Sequence, residues 1–196
     1  MPLTQLRGLT CITNSVNYPM HLKTAVIQGQ RIDIRPVLEE DLELLMSWWN
    51  DGRIMVSVGF PNGLGLTMEQ MRRDWEKWNN DSSAMRLIVC LDTGAPIGET
   101  CFHDYDPEMK QTEIGLKICK PELWEHGYGT ETLKLMTDYA FEHLGIEHVL
   151  LNPSKTNARI IRVNEKCGYR TIGEKQGGLL MELKRKDWEN ITHTYI

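Results

Sequence analysis

No stretch of this sequence approaches the run of about 18 apolar residues that a membrane-spanning helix needs, so neither a span nor a membrane partner is expected. Residues 1–30 also lack the apolar core of a secretory signal and are polar and aperiodic up to Pro19. The five cysteines (Cys11, Cys90, Cys101, Cys119, Cys167) show no Cys-x-x-Cys spacing, are odd in number and sit mostly in apolar segments. Reduced thiols in a cytoplasmic protein are the expectation. The six histidines are scattered without the helical pairing of a zinc enzyme, so no metal site is expected. No repeat or low-complexity linker divides the 196 residues, a length that suits a single domain with a substantial core.

Positive charge is also scarce. The net charge is −5, and residues 1–30 hold Arg7 and Lys23 but no acid, so all 27 acidic residues lie in the rest of the chain. An acidic domain argues against general nucleic-acid binding and suits a cationic acceptor such as a primary amine.

Against these absences stand two local patterns. The first is Trp124-Glu-His-Gly-Tyr-Gly-Thr130, which follows a strand-like segment with alternating Ile114, Leu116 and Ile118 and precedes an amphipathic helix. Strand, glycine turn and helix N-terminus together make an anion cradle. The glycines allow close backbone approach, and the free N–H groups of the first turn point outward along the helix dipole. Steric demands of a tight turn would explain the glycines equally well. The second pattern runs from Asn152-Pro-Ser-Lys-Thr-Asn157 through Asn164-Glu-Lys-Cys-Gly168-Tyr169, after a short apolar strand at Val149 to Leu151. Ser154 or Thr156 can cap its helix and Gly168 ends it. Asn157, Ile160, Ile161 and Asn164 share one face, and Lys155, Arg159, Arg162 and Lys166 form a basic stripe on another. The plain alternative is a capping Asn157, a satisfied buried Asn164 and a solvated basic face.

In this order and spacing the two patterns resemble the GNAT superfamily of acetyl-CoA-dependent N-acetyltransferases, over about Arg31 to Trp188 and most strongly from Glu113 to Tyr169. Ile34-Arg-Pro…Trp48-Trp-Asn-Asp is similar to the branch holding ribosomal-protein N-terminal and spermidine acetyltransferases. Asn152-Pro-Ser-x-x-Asn157 is similar to some aminoglycoside acetyltransferases, although Asp stands more often at the first position. The resemblance implies an α+β GNAT fold, a mixed, mostly antiparallel twisted sheet of about six to seven strands with about four helices on both faces. It implies acetyl-CoA as co-substrate and direct attack by a small-molecule or peptide amine in a ternary complex, without an acyl-cysteine, by a monomer or homodimer. Cofactor contacts are implied for Lys117, Ile118 and Cys119 on the strand, Glu125, His126, Gly127, Tyr128, Gly129 and Thr130 in the loop, and Asn157. Met20 opens a natural start for the family. Residues 20–196 are therefore read as one domain and residues 1–19 as an extension, flexible or partner-binding.

Two departures from the family pattern bear on chemistry. The loop usually begins with Arg or Gln and often carries a second basic residue; Trp124 and His126 stand there, so backbone donors must carry the pyrophosphate. Many members have a tyrosine acid at the position of Asn164, which offers only an amide hydrogen bond. These losses support a second reading, a CoA-binding regulatory or interaction module with little catalysis.

Element by element, the pattern predicts a strand near Ile32 to Arg35 and a helix from Glu39 to about Trp49 lined by Leu42, Leu45, Met46 and Trp49. A glycine-rich loop (Gly59 to Gly65) and a helix at Thr67 to Trp78 with a Thr67/Gln70 capping box follow. Strands come next at Arg86 to Leu91, Ile97 to His103 and Thr112 to Cys119, then a helix at Thr130 to Leu144. The last strands fall at Gly168 to Glu174 and Leu179 to Lys184. Acetyl transfer to an amine needs a proton acceptor and a donor for the developing oxyanion. Glu113, at the start of the strand expected to line the cleft, is the candidate base, with His103 and Asp104 as rivals. Asn164 is the candidate partner of the thioester. Trp48, Trp49 and Phe60 either shape an acceptor pocket or belong to the core.

Overall fold

The computed structural model describes residues 26–81 and 84–193; the expected extension at 1–19, the start at Met20 and Cys11 lie outside them. The strands are β1 (Ile27–Gln28), β2 (Ile32–Pro36), β3 (Met85–Leu91), β4 (Pro96–Asp106), β5 (Gln111–Ile118), β6 (His148–Leu151), β7 (Arg170–Lys175) and β8 (Gly178–Lys184). The helices are α1 (Leu42–Asn50), α2 (Gly52–Met55), α3 (Met68–Asn80), α4 (Tyr128–His143), α5 (Ala158–Lys166) and α6 (Arg185–His193). One sheet runs in the order β1-β2-β3-β4-β5-β6-β8-β7, antiparallel throughout except for the parallel β5/β6 pair.

Alternation along the central strands sorts side chains between two helical layers. Leu87 of β3, Phe102 of β4 and Ile114 of β5 face α4, where Leu133, Met136, Ala140 and Phe141 are buried against them. Ile88 and Cys90 face the other way, onto Leu42, Leu45, Trp49 and Met71 of α1 and α3. α3 begins with the anticipated capping box: Thr67 Oγ1 accepts from the Gln70 amide (3.3 Å) and Gln70 Oε1 accepts from the Thr67 amide (2.8 Å).

The α+β sheet with helices on both faces is as expected, but the described residues make eight strands and six helices rather than about six to seven and four. β1 and α2 are too short for periodicity to register. The polar α6 is held by Trp188, whose ring lies 5.2 Å from Phe141 and whose indole N–H donates to Asp138 (2.6 Å). α4 starts at Tyr128, two residues earlier than expected, with Gly127 as its N-cap. The segment expected as one helix from Glu39 begins as a single 3₁₀ turn, Glu39–Asp41, before α1.

Candidate active site

β5 and β6 pair only at Gln111–Glu113 against His148–Leu150. Beyond Glu113, β5 continues to Ile118, while β6 stops at Leu151 ahead of Pro153. The strands therefore part at Glu113, and among the described residues no strand lies against that side of Ile114–Ile118. Because β5 and β6 are parallel, both lead to the same end of the sheet, where α4 and α5 begin. The Arg159 guanidinium, in the first turn of α5, stacks 4.4 Å from the centre of the Trp124 ring in the loop before α4.

That loop is held from several sides. Trp124 Nε1 donates to the Ile118 carbonyl (2.7 Å), and His126 Nδ1 lies 2.8 Å from the Trp124 carbonyl. Arg31, from the β1–β2 hairpin, donates to the His126 carbonyl (2.9 Å), pairs with Glu131 (2.8 Å) and lies over the Tyr128 ring (4.8 Å). Gly127 caps α4 with φ of 88° and supplies no side chain for the first-turn amides. A Cβ there would meet Arg31 Nη2 at 3.2 Å, so the turn itself requires glycine. Gly129 is different: a Cβ there would meet only Ile118 Cγ1, at an ordinary 3.8 Å. Packing within the chain does not explain its missing side chain.

At the apex of the parting strands, charged groups converge. Glu113 is buried (6% exposed), and its Oε2 lies 2.8 Å from Lys175 Nζ of β7. Lys175 also pairs with Asp104 Oδ2 (3.1 Å). His103 completes the cluster, with Nε2 at 3.7 Å from Glu113 and Nδ1 at 3.6 Å from Asp104. Adjacent strand residues normally point to opposite faces. Asp104 escapes this through the register shift between His103 and Asp106 and a left-handed backbone (φ 51°). The adjacent His103 imidazole, with Lys175 added and burial opposing, holds the Asp104 carboxyl down at about 2. Three potential ligand groups, the His103 imidazole and the Asp104 and Glu113 carboxylates, lie close enough here to hold a cation, and the Lys175 ammonium is the positive charge between the carboxylates.

The structure distributes the other anticipated residues unevenly. Lys117 projects to the α1/α3 face, where its ammonium pairs with buried Glu99 (2.7 Å). Arg86 lies 3.9 Å from the same carboxylate, and Trp49 Nε1 donates to it (2.6 Å). Burial opposes ionisation of Glu99, but Lys117 and Arg86 outweigh it and keep the carboxyl below its ordinary range. Cys119 is buried beside this group and its thiol is pushed up, chiefly by burial. Lys117 and Cys119 can therefore serve the cleft only through the backbone. Trp48 and Trp49 are buried in the α1–α3 cluster, and Phe60 packs against it. Asn157 caps α5, accepting from the Ile160 amide (3.2 Å). Asn164 is buried with its amide nitrogen 3.6 Å from Met181 Sδ of β8. Arg31 and Lys175 were not anticipated, and Arg159 only as part of a solvated stripe. Each reaches the site across long sequence separations that periodicity does not encode.

A family model described as an acetyltransferase (GNAT) domain matches residues 31–170. The chain belongs to the GNAT acetyltransferase family. Among Bacillus subtilis (strain 168) proteins it is 22% identical over 150 residues to the uncharacterized N-acetyltransferase YoaA, covering 76% of this chain and 84% of that protein. It is 23% identical over 176 residues to the putative ribosomal N-acetyltransferase YdaF, covering 82% and 95%. The aminoglycoside acetyltransferase AAC(6')-Ib in complex with coenzyme A superposes with a TM-score of 0.70 at 21% identity, over 82% of this chain and 99% of that one. Spermidine N-acetyltransferase from Vibrio cholerae, solved with CoA and spermine, gives 0.72 at 18% identity with the same coverage, 82% and 99%. This GNAT protein is an acetyl-CoA-dependent N-acetyltransferase.

Proposed function

We propose that the chain transfers the acetyl group to a primary amine, that of a protein N-terminus, a polyamine or an aminoglycoside-like molecule, by direct attack in a ternary complex. The parting of β5 and β6, with the open surface at Gly129 beside it, carries this reading. Acetyl-CoA supplies an activated thioester. The uncapped amides of Tyr128, Gly129 and Thr130 would hold its pyrophosphate, with Arg159 supplying the cation that Trp124 lacks. The open edge of Ile114–Ile118 offers backbone groups to the pantetheine amides, and the Asn157 amide nitrogen remains available as a donor after capping. Glu113, at the apex, takes the proton of the attacking amine, and an amide of the β5 edge faces the oxygen on which charge develops.

His103 and Asp104 flank the base and favour a cationic acceptor. The buried free thiols Cys90, Cys101, Cys119 and Cys167 fit a reducing cytoplasm, and a monomer or homodimer fits a site built from one chain. Calorimetric titration with acetyl-CoA tests the assignment. Saturable binding with one site per chain is expected, and no binding at millimolar cofactor would overturn it. Glu113→Gln should lower turnover roughly a hundredfold or more with little change in that affinity.

A further inference from the structure

The amine already resting on the base belongs to the protein itself. Lys175 Nζ lies 2.8 Å from Glu113 Oε2, the residue at which β5 and β6 part, so it stands where an attacking amine must deliver its proton. Its position is imposed by the β7–β8 hairpin. The two-residue turn Gln176–Gly177 has both φ values positive (51° and 85°), the pattern of a tight hairpin connection, and Lys175 pairs directly with Gly178 across it. The hairpin is tied to the β6–α5 connection by the Leu179 amide on the Pro153 carbonyl (2.9 Å) and by Lys155 on Glu174 (2.5 Å). The Lys175 side chain is one-third exposed, so it combines a fixed base with freedom to move.

The geometry points to Lys175 as an internal acetyl acceptor, a self-modification site whose acetylation unlocks Glu113 for external amines. This rests on the proposed placement of the thioester at the apex. Protons and electron pairs balance as follows. The Lys175 ammonium gives one proton to Glu113, and the nitrogen lone pair forms an N–C bond to the acetyl carbonyl carbon. The C–S bond breaks, the thiolate takes the second proton from nitrogen as free CoA, and Glu113 returns its proton to solvent. The resulting amide carries no charge, so Glu113 is released from its ion pair while Asp104 keeps His103 at 3.6 Å. Tethering the amine beside its base replaces a bimolecular encounter with an intramolecular one. The groups facing Glu113 are His103 and Asp104 from β4 and Lys175 from β7. The ion pairs on Lys175 hold it protonated against the opposing effect of burial, so modification should accelerate as pH rises.

The test is incubation of the full chain with isotopically labelled acetyl-CoA, followed by peptide mass spectrometry, with calorimetry on the same preparation. Expected is one added acetyl group per chain on Lys175, formed at a rate independent of protein concentration and at least tenfold faster than at Lys155 or Lys166, which report uncatalysed chemistry. Glu113→Gln should abolish that excess, and Lys175→Arg should remove the label while retaining cofactor affinity. A second readout uses no CoA: an amine-reactive acetyl ester should modify Lys175 more slowly than Lys166 in the wild-type protein and faster in Glu113→Gln than in the wild type, with Asp104 left as its remaining ion-pair partner. Bound acetyl-CoA with Lys175 labelled no faster than Lys155 and Lys166 overturns the inference alone. Absence of binding overturns it together with the proposed function.

Discussion

Asp104 and Lys117 show how single residues here trade stability against placement. Asp104 sits at about 2, below its ordinary value of 3.8, through His103 and Lys175. A depressed carboxyl stabilises the fold above its ordinary value, and the contribution is lost as pH falls toward the folded one. Asp104 is about one-third exposed, so solvent screening limits the contribution to no more than about 1 kcal/mol. Asp104→Asn should accordingly be less stable near neutral pH, with the difference fading as pH falls from 3.8 toward about 2 in denaturation curves. A constant gap across that window would contradict the role of the ion pairs. Lys117 makes a sharper case. Its removal leaves Glu99 charged and buried, so Lys117→Met should cost about 3 kcal/mol, and Lys117→Met with Glu99→Gln should recover much of the loss. Equal destabilisation in the single and double variants would show that Arg86 alone suffices for Glu99.

At the scale of elements, the glycines before α4 separate two roles that look alike in the sequence. From the sequence, valine at either position is expected to block the cofactor and spare the fold. The structure assigns Gly127 to the turn through its φ of 88° and its closeness to Arg31, and leaves room for a Cβ at Gly129, with only an ordinary contact to Ile118. Gly127→Val should therefore destabilise the protein, by about 1–3 kcal/mol for a strained backbone, as well as weaken acetyl-CoA binding. Gly129→Val should keep the melting temperature and weaken binding alone. Unchanged acetyl-CoA affinity in Gly129→Val would remove the loop from the site. The strand–loop–helix unit was legible because period-2 alternation, paired glycines and period-3.6 spacing follow one another without interruption. The Asp104 carboxylate could only be named as a rival base, since a regular strand would turn it away from His103. Its register shift arises in β4/β5 pairing and leaves no mark on local composition. The sequence leaves Asn164 facing either the cleft or the core, and the structure turns its amide onto Met181.

For the whole molecule, the sheet order explains why so much of the site was hidden. Arg31 precedes its partner Glu131 by 100 residues, and Lys175 follows Glu113 by 62. Both contacts exist only once β1–β2 and β7–β8 have been laid on opposite flanks of the parting pair. The proposed cofactor half lies within one strand–loop–helix unit and its neighbour, which is why a sequence pattern exposes it. The acceptor half we propose would be assembled from β4, β5 and β7, whose converging charged groups form no motif in the sequence. The central claim is transfer of an acetyl group to an amine rather than mere retention of CoA. It is tested by mixing the protein with acetyl-CoA and a panel of polyamines, aminoglycosides and N-terminal peptides. Free thiol and acetylated amine are measured together. Release of CoA in equal amount with an acetylated amine, lost in Glu113→Gln, is the predicted result. Saturable acetyl-CoA binding with no acetylated product across the panel would contradict it and make the chain a CoA-binding module.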